Sequence, residues 1–268
     1  MKSSATFEET PFDRNRVIIG DMYEESRRRP ISMGLVEFDV TKARDLIQQH
    51  EHKTGEQLSF TGWITKCVAQ AVSEHKQVQA YRKGKKIVAF NDVDVSIVVE
   101  RDVEGKKIAM PYVIRNANTK TFRQIHNEIR AAQAQPIESQ VLGEHPYAWL
   151  AGRFQSLPKF IRKLVWWKYR NDPFLARRIS GTVGITAIGM YGNVSGWPIN
   201  FGMNPLDIAL GSITKKPGVV GDRIEIREYL HVTMIFNHDV VDGAPAARFT
   251  ARLNELVTSA YGLEEFST

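Results

Sequence analysis

The stretch Thr233-Met234-Ile235-Phe236-Asn237-His238-Asp239-Val240-Val241-Asp242-Gly243-Ala244-Pro245-Ala246-Ala247-Arg248-Phe249 decides how the rest of the chain is read. An apolar, strand-like run ends on Asn237-His238, the chain turns at Asp242-Gly243, and a helical pattern begins. His238 therefore stands where a strand gives way to a loop. Imidazole is the side chain that titrates near neutral pH, so it can take a proton from a thiol or hydroxyl and return it later. His238 is a candidate general base. Asp242, four residues on and beside a glycine that permits a sharp turn, is placed to fix the loop. By spacing alone a histidine before a turn is more often a satisfied polar residue than a base, so the wider sequence has to decide.

Working outward, the run into His238 pairs with a strand over Ile208–Thr214 through a hairpin at Val220-Gly221-Asp222-Arg223. His231 lies inside the second of these strands, seven residues before His238, and receives no catalytic role. A helix follows from Ala246 to about Ala260, with Phe249, Leu253, Leu256 and Val257 on its apolar side. Upstream, a strand over Ile31–Val40 leads to a helix that Thr41 is placed to cap. A second helix covers Trp63 to His75. Strands are expected over Lys86–Phe90, Val93–Glu100 and Ile108–Ile114, with a turn at Glu104-Gly105. A helix over Phe122–Ala132 then starts at Thr119 or Thr121.

Two further blocks complete the pattern, Gly181-Thr182-Val183-Gly184-Ile185-Thr186-Ala187-Ile188-Gly189-Met190-Tyr191-Gly192 and Met110-Pro111-Tyr112-Val113-Ile114-Arg115-Asn116-Ala117. With Phe38-Asp39-Val40-Thr41, Ala209-Leu210-Gly211 and His-x-x-x-Asp-Gly, they resemble, in order, the catalytic domain of the dihydrolipoamide acyltransferase component of 2-oxo acid dehydrogenase complexes. That family shares its fold with chloramphenicol acetyltransferase. The resemblance implies an α/β fold, a two-layer sandwich with a mixed β-sheet. It implies acyl transfer between coenzyme A and a thiol of the dihydrolipoyl type. His238 would be the base, the Thr186 hydroxyl the donor to the oxyanion, and Asp242 an architectural carboxylate paired with Arg16 or one of Arg27–Arg29. It also implies a channel at a homotrimer interface, with possible assembly into a cubic core.

This sequence departs from the family in three places. Asp239 stands where the family has arginine. Residues 134–180 replace a much shorter connection and include a basic amphipathic segment over 157–170, in which Phe160, Ile161, Leu164, Val165 and Trp167 share one side. Packing on this subunit or a neighbour is favoured there over docking to an anionic membrane surface or to a partner protein. No Asp-Lys dipeptide occurs, so no lipoyl group is expected on this chain, and the acyl group would come from a separate lipoyl carrier protein, from CoA alone, or from another thiol. Two other readings remain open, a stand-alone O-acyltransferase and a non-catalytic trimeric scaffold.

Residues 1–14 are polar and read as a loose arm, and 15–268 as one catalytic domain with that insertion. The 268 residues, 43% hydrophobic and 25% charged, suit a globular fold. The lone Cys67 lies on an apolar helical face and reads as a buried small hydrophobe; a single cysteine also suits a cytoplasmic protein. His50 and His52 fall on different helix faces, and no metal site is expected. The formal charge of +6 comes without any nucleic-acid-binding signature. No run is long and apolar enough to cross a membrane.

Overall fold

Strand order in the main sheet is β1-β8-β7-β6-β4-β5, with β7, β6 and β4 mutually parallel and the other neighbours antiparallel. The computed structural model describes residues 6–12, 15–103, 106–134, 154–188, 195–199 and 202–266. The strands are β1 (Ile31–Asp39), β2 (Tyr81–Lys83), β3 (Lys86–Val88), β4 (Val95–Val103), β5 (Lys106–Ile114), β6 (Val183–Ala187), β7 (Leu206–Val220) and β8 (Arg223–Asn237). The helices are α1 (Asn15–Ser26), α2 (Thr41–Thr54), α3 (Phe60–Glu74), α4 (Phe122–Ala134), α5 (Lys159–Asn171), α6 (Pro173–Ser180) and α7 (Gly243–Ser259). The expected turn at Glu104-Gly105 and most of the glycine bend, 189–194, lie outside the described residues, as do 135–153 of the insertion.

Alternation puts Leu206, Ile208 and Leu210 of β7 and Leu230, Val232, Met234 and Phe236 of β8 on one face. There they meet Trp63 of α3 and Phe249 and Leu253 of α7 in the main core. Helix α3 is buried on nearly every side because α4 and α7 flank it on the sheet. Ser59 caps it, its Oγ accepting from Gly62 N at 3.1 Å. Thr41 does not cap α2. Asp39 does this work, its carboxylate accepting from Thr41 N at 2.9 Å and from Thr41 Oγ1 at 2.6 Å. Helix α4 starts with the reciprocal pair expected of Thr121: Gln124 N donates to Thr121 Oγ1, and Thr121 N to Gln124 Oε1.

The hairpin β7–β8 is longer than its core-facing pattern suggests. After a register shift between Leu210 and Ile213, pairing continues to Val220↔Arg223. Its tip carries exposed Val219, Ile224 and Ile226. Strand pairing sets that length and burial does not. The expected Lys86–Phe90 strand is a separate short hairpin, β2–β3, turning at Gly84.

The insertion builds a second, smaller core in which Tyr81, Phe90, Tyr169 and Ala176 are buried, with Trp166 and Met203 against them. Helix α1 is clamped to α5 by Asp21–Arg162 at 2.6 Å and by Glu25–Arg170. The amphipathic stripe of α5 is split. Tyr169 is buried and Ile161, Val165 and Trp166 are half-buried, whereas Phe160, Leu164 and Trp167 face outward. Asp172 caps α6 by accepting from the amides of Phe174 and Leu175.

Candidate active site

His238 follows the last residue of β8, and its amide donates to Pro30 O at 2.8 Å. The loop beyond it is anchored from below: Val240 and Val241 are buried, their amides donate to Asn237 O, and Gln77 Nε2 donates to Val240 O at 2.9 Å. The two apolar residues inside His-x-x-x-Asp thus hold the loop down while the polar ones face out. The His238 side chain is 48% exposed and that of Asp242 85%. Their Nδ1 and Oδ1 atoms lie 3.9 Å apart, an ion-pair separation too long for a hydrogen bond.

Among the described residues no arginine pairs with Asp242. Arg28 pairs with Glu24 and Glu25, Arg29 donates to Met203 O, and Arg16 is exposed. The carboxylate that does take an arginine is Asp239, 3.4 Å from Arg82 on β2. A cleft of about 230 Å³ lies there, lined by Arg82, Gly84, Lys85, Lys86, Ile87 and Asp239. Sequence reading noted Asp239 but missed its partner, although Arg82-Lys83 and Lys85-Lys86 flanking Gly84 mark a basic hairpin tip.

Thr186 is half-buried on β6, and Ile185 beside it enters the core, so the threonine lies on the sheet face away from the main core. In register it pairs with Ala209, which pairs with Thr233. Thr186 is thus two strands across and five residues short of His238, roughly 20 Å away in the same chain. One copy of the chain does not bring them together.

On the same face, Gly184 leaves room for Asp207: a Cβ at Gly184 would lie 2.0 Å from Asp207 Oδ1. Burial pushes the Asp207 carboxyl up to about 6, against the pull of hydrogen bonds from Asn204 and the charge of Arg29. An acid whose folded value is raised is more stable folded when protonated. That contribution is whole below the unfolded value of 3.8 and is lost as pH rises through about 6. The Asp207→Asn variant lacks this titration, so its melting temperature relative to the wild type should increase from pH 4 to pH 7 in thermal melts.

His231 is fully buried, its Nδ1 donating to Ser212 O at 2.9 Å, its Nε2 3.1 Å from Glu37, and its ring edge-on to Trp197. Both nitrogens are engaged, which suits a structural role. Burial pushes the Cys67 thiol far up, which makes it a poor nucleophile. Among the described residues no three His, Cys, Asp or Glu side chains group as metal ligands, and no helix is long and apolar enough to cross a membrane.

The family model described as "2-oxoacid dehydrogenases acyltransferase (catalytic domain)" matches residues 5–142 and 178–263. The chain belongs to this family. Among similar proteins is the lipoamide acyltransferase component of the branched-chain alpha-keto acid dehydrogenase complex of Bacillus subtilis. It is 25% identical over 250 residues, covering 91% of this chain and 50% of the relative. The dihydrolipoyllysine-residue succinyltransferase component of the 2-oxoglutarate dehydrogenase complex of Staphylococcus epidermidis is 23% identical over 250 residues, covering 91% and 51%. The chain spans about half the length of these relatives. In fold, it resembles the dihydrolipoamide acetyltransferase of Azotobacter vinelandii, with a TM-score of 0.67, 20% identity and coverage of 98% and 96%. It also resembles a probable dihydrolipoamide acetyltransferase from Listeria monocytogenes, with a TM-score of 0.66, 21% identity and 95% of both chains covered. The family model passes over 143–177, the middle of the insertion.

Proposed function

We propose that the chain transfers an acyl group between coenzyme A and a dihydrolipoyl-type thiol, with His238 as general base. The observation that carries this reading is a half-exposed imidazole on a loop pinned by Val240 and Val241 at the end of β8, in a chain of this family. In the Azotobacter vinelandii acetyltransferase, a serine, a histidine and an asparagine have been investigated for their role in the catalytic mechanism, fifty-two and four positions apart. Thr186, His238 and Asp242 repeat both intervals. Asp242 stands where that enzyme has a neutral amide, which fits a positioning part for its carboxylate.

His238 takes the proton of the attacking thiol, and the thiolate adds to the thioester carbonyl. The resulting oxyanion accepts a hydrogen bond from the Thr186 hydroxyl. When the tetrahedral centre collapses, the leaving sulfur receives the proton back from His238. Because Thr186 and His238 lie roughly 20 Å apart within one copy, the site is completed by a neighbouring copy, as in a homotrimer. A chain of similar fold forms the cubic core of the pyruvate dehydrogenase multienzyme complex, so a trimer could build further in the same way.

The test measures thiol release from acetyl-CoA and succinyl-CoA with dihydrolipoamide, and with a hydroxyl acceptor in parallel. Thr186→Ala should lower kcat by about 10²-fold, the usual cost of one oxyanion donor, and Thr186→Ser should retain most of the rate. Co-refolding Thr186→Ala with His238→Ala should restore activity that neither has alone, because some interfaces then combine an intact histidine with an intact threonine. No transfer from any donor, or no complementation in a stable oligomer, would reject the shared site.

A further inference from the structure

The segment that the family model passes over carries a group of exposed aromatic and aliphatic side chains. Phe160, Leu164 and Trp167 recur at i, i+4 and i+7 along α5 and are 73%, 65% and 55% exposed. Phe174, on α6 directly after it, is 53% exposed. Large apolar side chains grouped this way on a soluble fold mark a contact surface. Cations border it: Lys168 and Arg178 are exposed on α5 and α6, and Lys83, Lys85 and Lys86 on the β2–β3 hairpin.

Where the stripe leads distinguishes its occupants. Phe174 lies under the Lys83 ammonium, 5.1 Å from the ring centroid, and packs edge-on against Phe90. The next hairpin residue, Arg82, reaches Asp239 at 3.4 Å, and Asp239 adjoins His238. Contacts therefore lead from α5 to α6, from α6 to β2, and from Arg82 of β2 to the loop of the candidate base. A lipid surface has no cause to border that loop; a macromolecule presenting a thiol to it does. The Staphylococcus epidermidis relative acts on a dihydrolipoyllysine residue, an acceptor borne on a protein.

We infer that α5, α6 and the β2–β3 hairpin form the docking face for an acidic carrier domain that delivers a dihydrolipoyl-type thiol to His238. This rests on the acyltransferase reading above and adds its partner and the place where that partner sits. The apolar stripe contacts the carrier's body, the hairpin lysines meet its carboxylates, and the swinging thiol enters beside Asp239. Attraction between the charges should speed encounter and weaken with salt.

The experiment compares two acceptors for the oligomeric protein, a reduced lipoylated domain of net negative charge and free dihydrolipoamide, each with acetyl-CoA and succinyl-CoA. Two variants are used, Leu164→Ser with Trp167→Ser, and Lys83→Glu with Lys86→Glu. All four side chains are exposed, so folding should be retained, and melting curves and sedimentation check this. The expected result is a rise of about tenfold or more in KM for the domain, with KM for free dihydrolipoamide unchanged and a flatter salt dependence in the lysine variant. An equal change for both acceptors, or for neither, overturns the docking face. So does loss of the oligomer in the serine variant, which would assign the stripe to contacts between copies. Vesicles of phosphatidylglycerol that bind the wild type but not the serine variant, with carrier kinetics unaltered, would assign it to lipid. If the wild type acylates neither acceptor, the acyltransferase reading falls, and calorimetric titration of the lipoylated domain against wild type and variants still tests docking by itself.

Discussion

His238→Ala should lower kcat with acyl-CoA and dihydrolipoamide by about 10²- to 10⁴-fold, the range contributed by a positioned base, and leave the melting temperature nearly unchanged. The two halves of this result come from one observation. The imidazole side chain is 48% exposed and its nearest charged neighbour is Asp242 at 3.9 Å, so the ring contributes little packing. What holds the loop is the backbone at Asn237 and His238 together with buried Val240 and Val241, none of which the substitution removes. A parallel loss of stability would mean that the ring serves the fold. An unchanged rate would mean that the base is another group. Steady-state kinetics on protein whose melting curve and sedimentation match the wild type separates these outcomes.

The second large effect is on stability. Asp94 is 2% exposed at the start of β4, and its carboxylate accepts from Arg177 Nε at 2.8 Å, Arg115 Nη1 at 3.1 Å and Asn116 N at 3.0 Å. Its own carbonyl accepts from Thr182 and Val183 N, where β6 begins. One residue therefore joins β4, the turn after β5, α6 of the insertion, and β6. Asp94→Ala would leave Arg115 and Arg177 without their shared acceptor; because the two arginines are 43% and 24% exposed and Arg177 keeps Asp92, the cost is about 2–3 kcal/mol, below that of a fully buried pair. Against a total of about 5–15 kcal/mol, that is a large fraction of the fold's stability. Urea denaturation reads it directly, and a loss below about 1 kcal/mol would show that solvent replaces the aspartate easily.

Acidification tests the same cluster. Burial pushes the Asp94 carboxyl up, but the hydrogen bonds from Arg177 and Asn116 and the charges of Arg177 and Arg115 outweigh it and hold the group below its ordinary value. A depressed acid contributes stability above its unfolded value of 3.8 and loses it as pH falls through the folded value. The wild type should therefore lose stability on acidification faster than Asp94→Ala. This trend is opposite in sign to that of Asp207, so the two carboxylates separate in the pH dependence of the melting temperature.

Much of the core could be read from periodicity. Phe249, Leu253, Leu256 and Val257 are buried on α7 as their spacing requires, and the apolar helix around Trp63 and Cys67 is the centre of the main core. Harder to read were features that depend on a distant partner. Thr41 matched the cap pattern, yet it is the first residue of α2 and its hydroxyl is taken up by the Asp39 carboxylate and the Glu228 amide, so Asp39 accepts from the Thr41 amide instead. Asp242 was expected to hold an arginine, but Glu24 and Glu25 of α1 take Arg28, the Met203 carbonyl takes Arg29, and Arg82 pairs with Asp239. The split of the α5 stripe had no local signal, because Tyr169 turns inward only where Tyr81, Phe90 and Ala176 offer it a second core.

By itself the sequence determined the elements, the family motifs and the identity of a candidate base and hydroxyl, because periodicity and short motifs are properties of neighbouring residues. Only the tertiary structure decided where those groups stand. Strand register places Thr186 and His238 two strands and five residues apart, so that a single copy cannot join them. Packing of α6 against the β2–β3 hairpin sets Phe174 under Lys83, while Arg82 of the same hairpin reaches Asp239 beside His238. Both follow from pairing and packing between segments far apart in the chain, which no local pattern encodes.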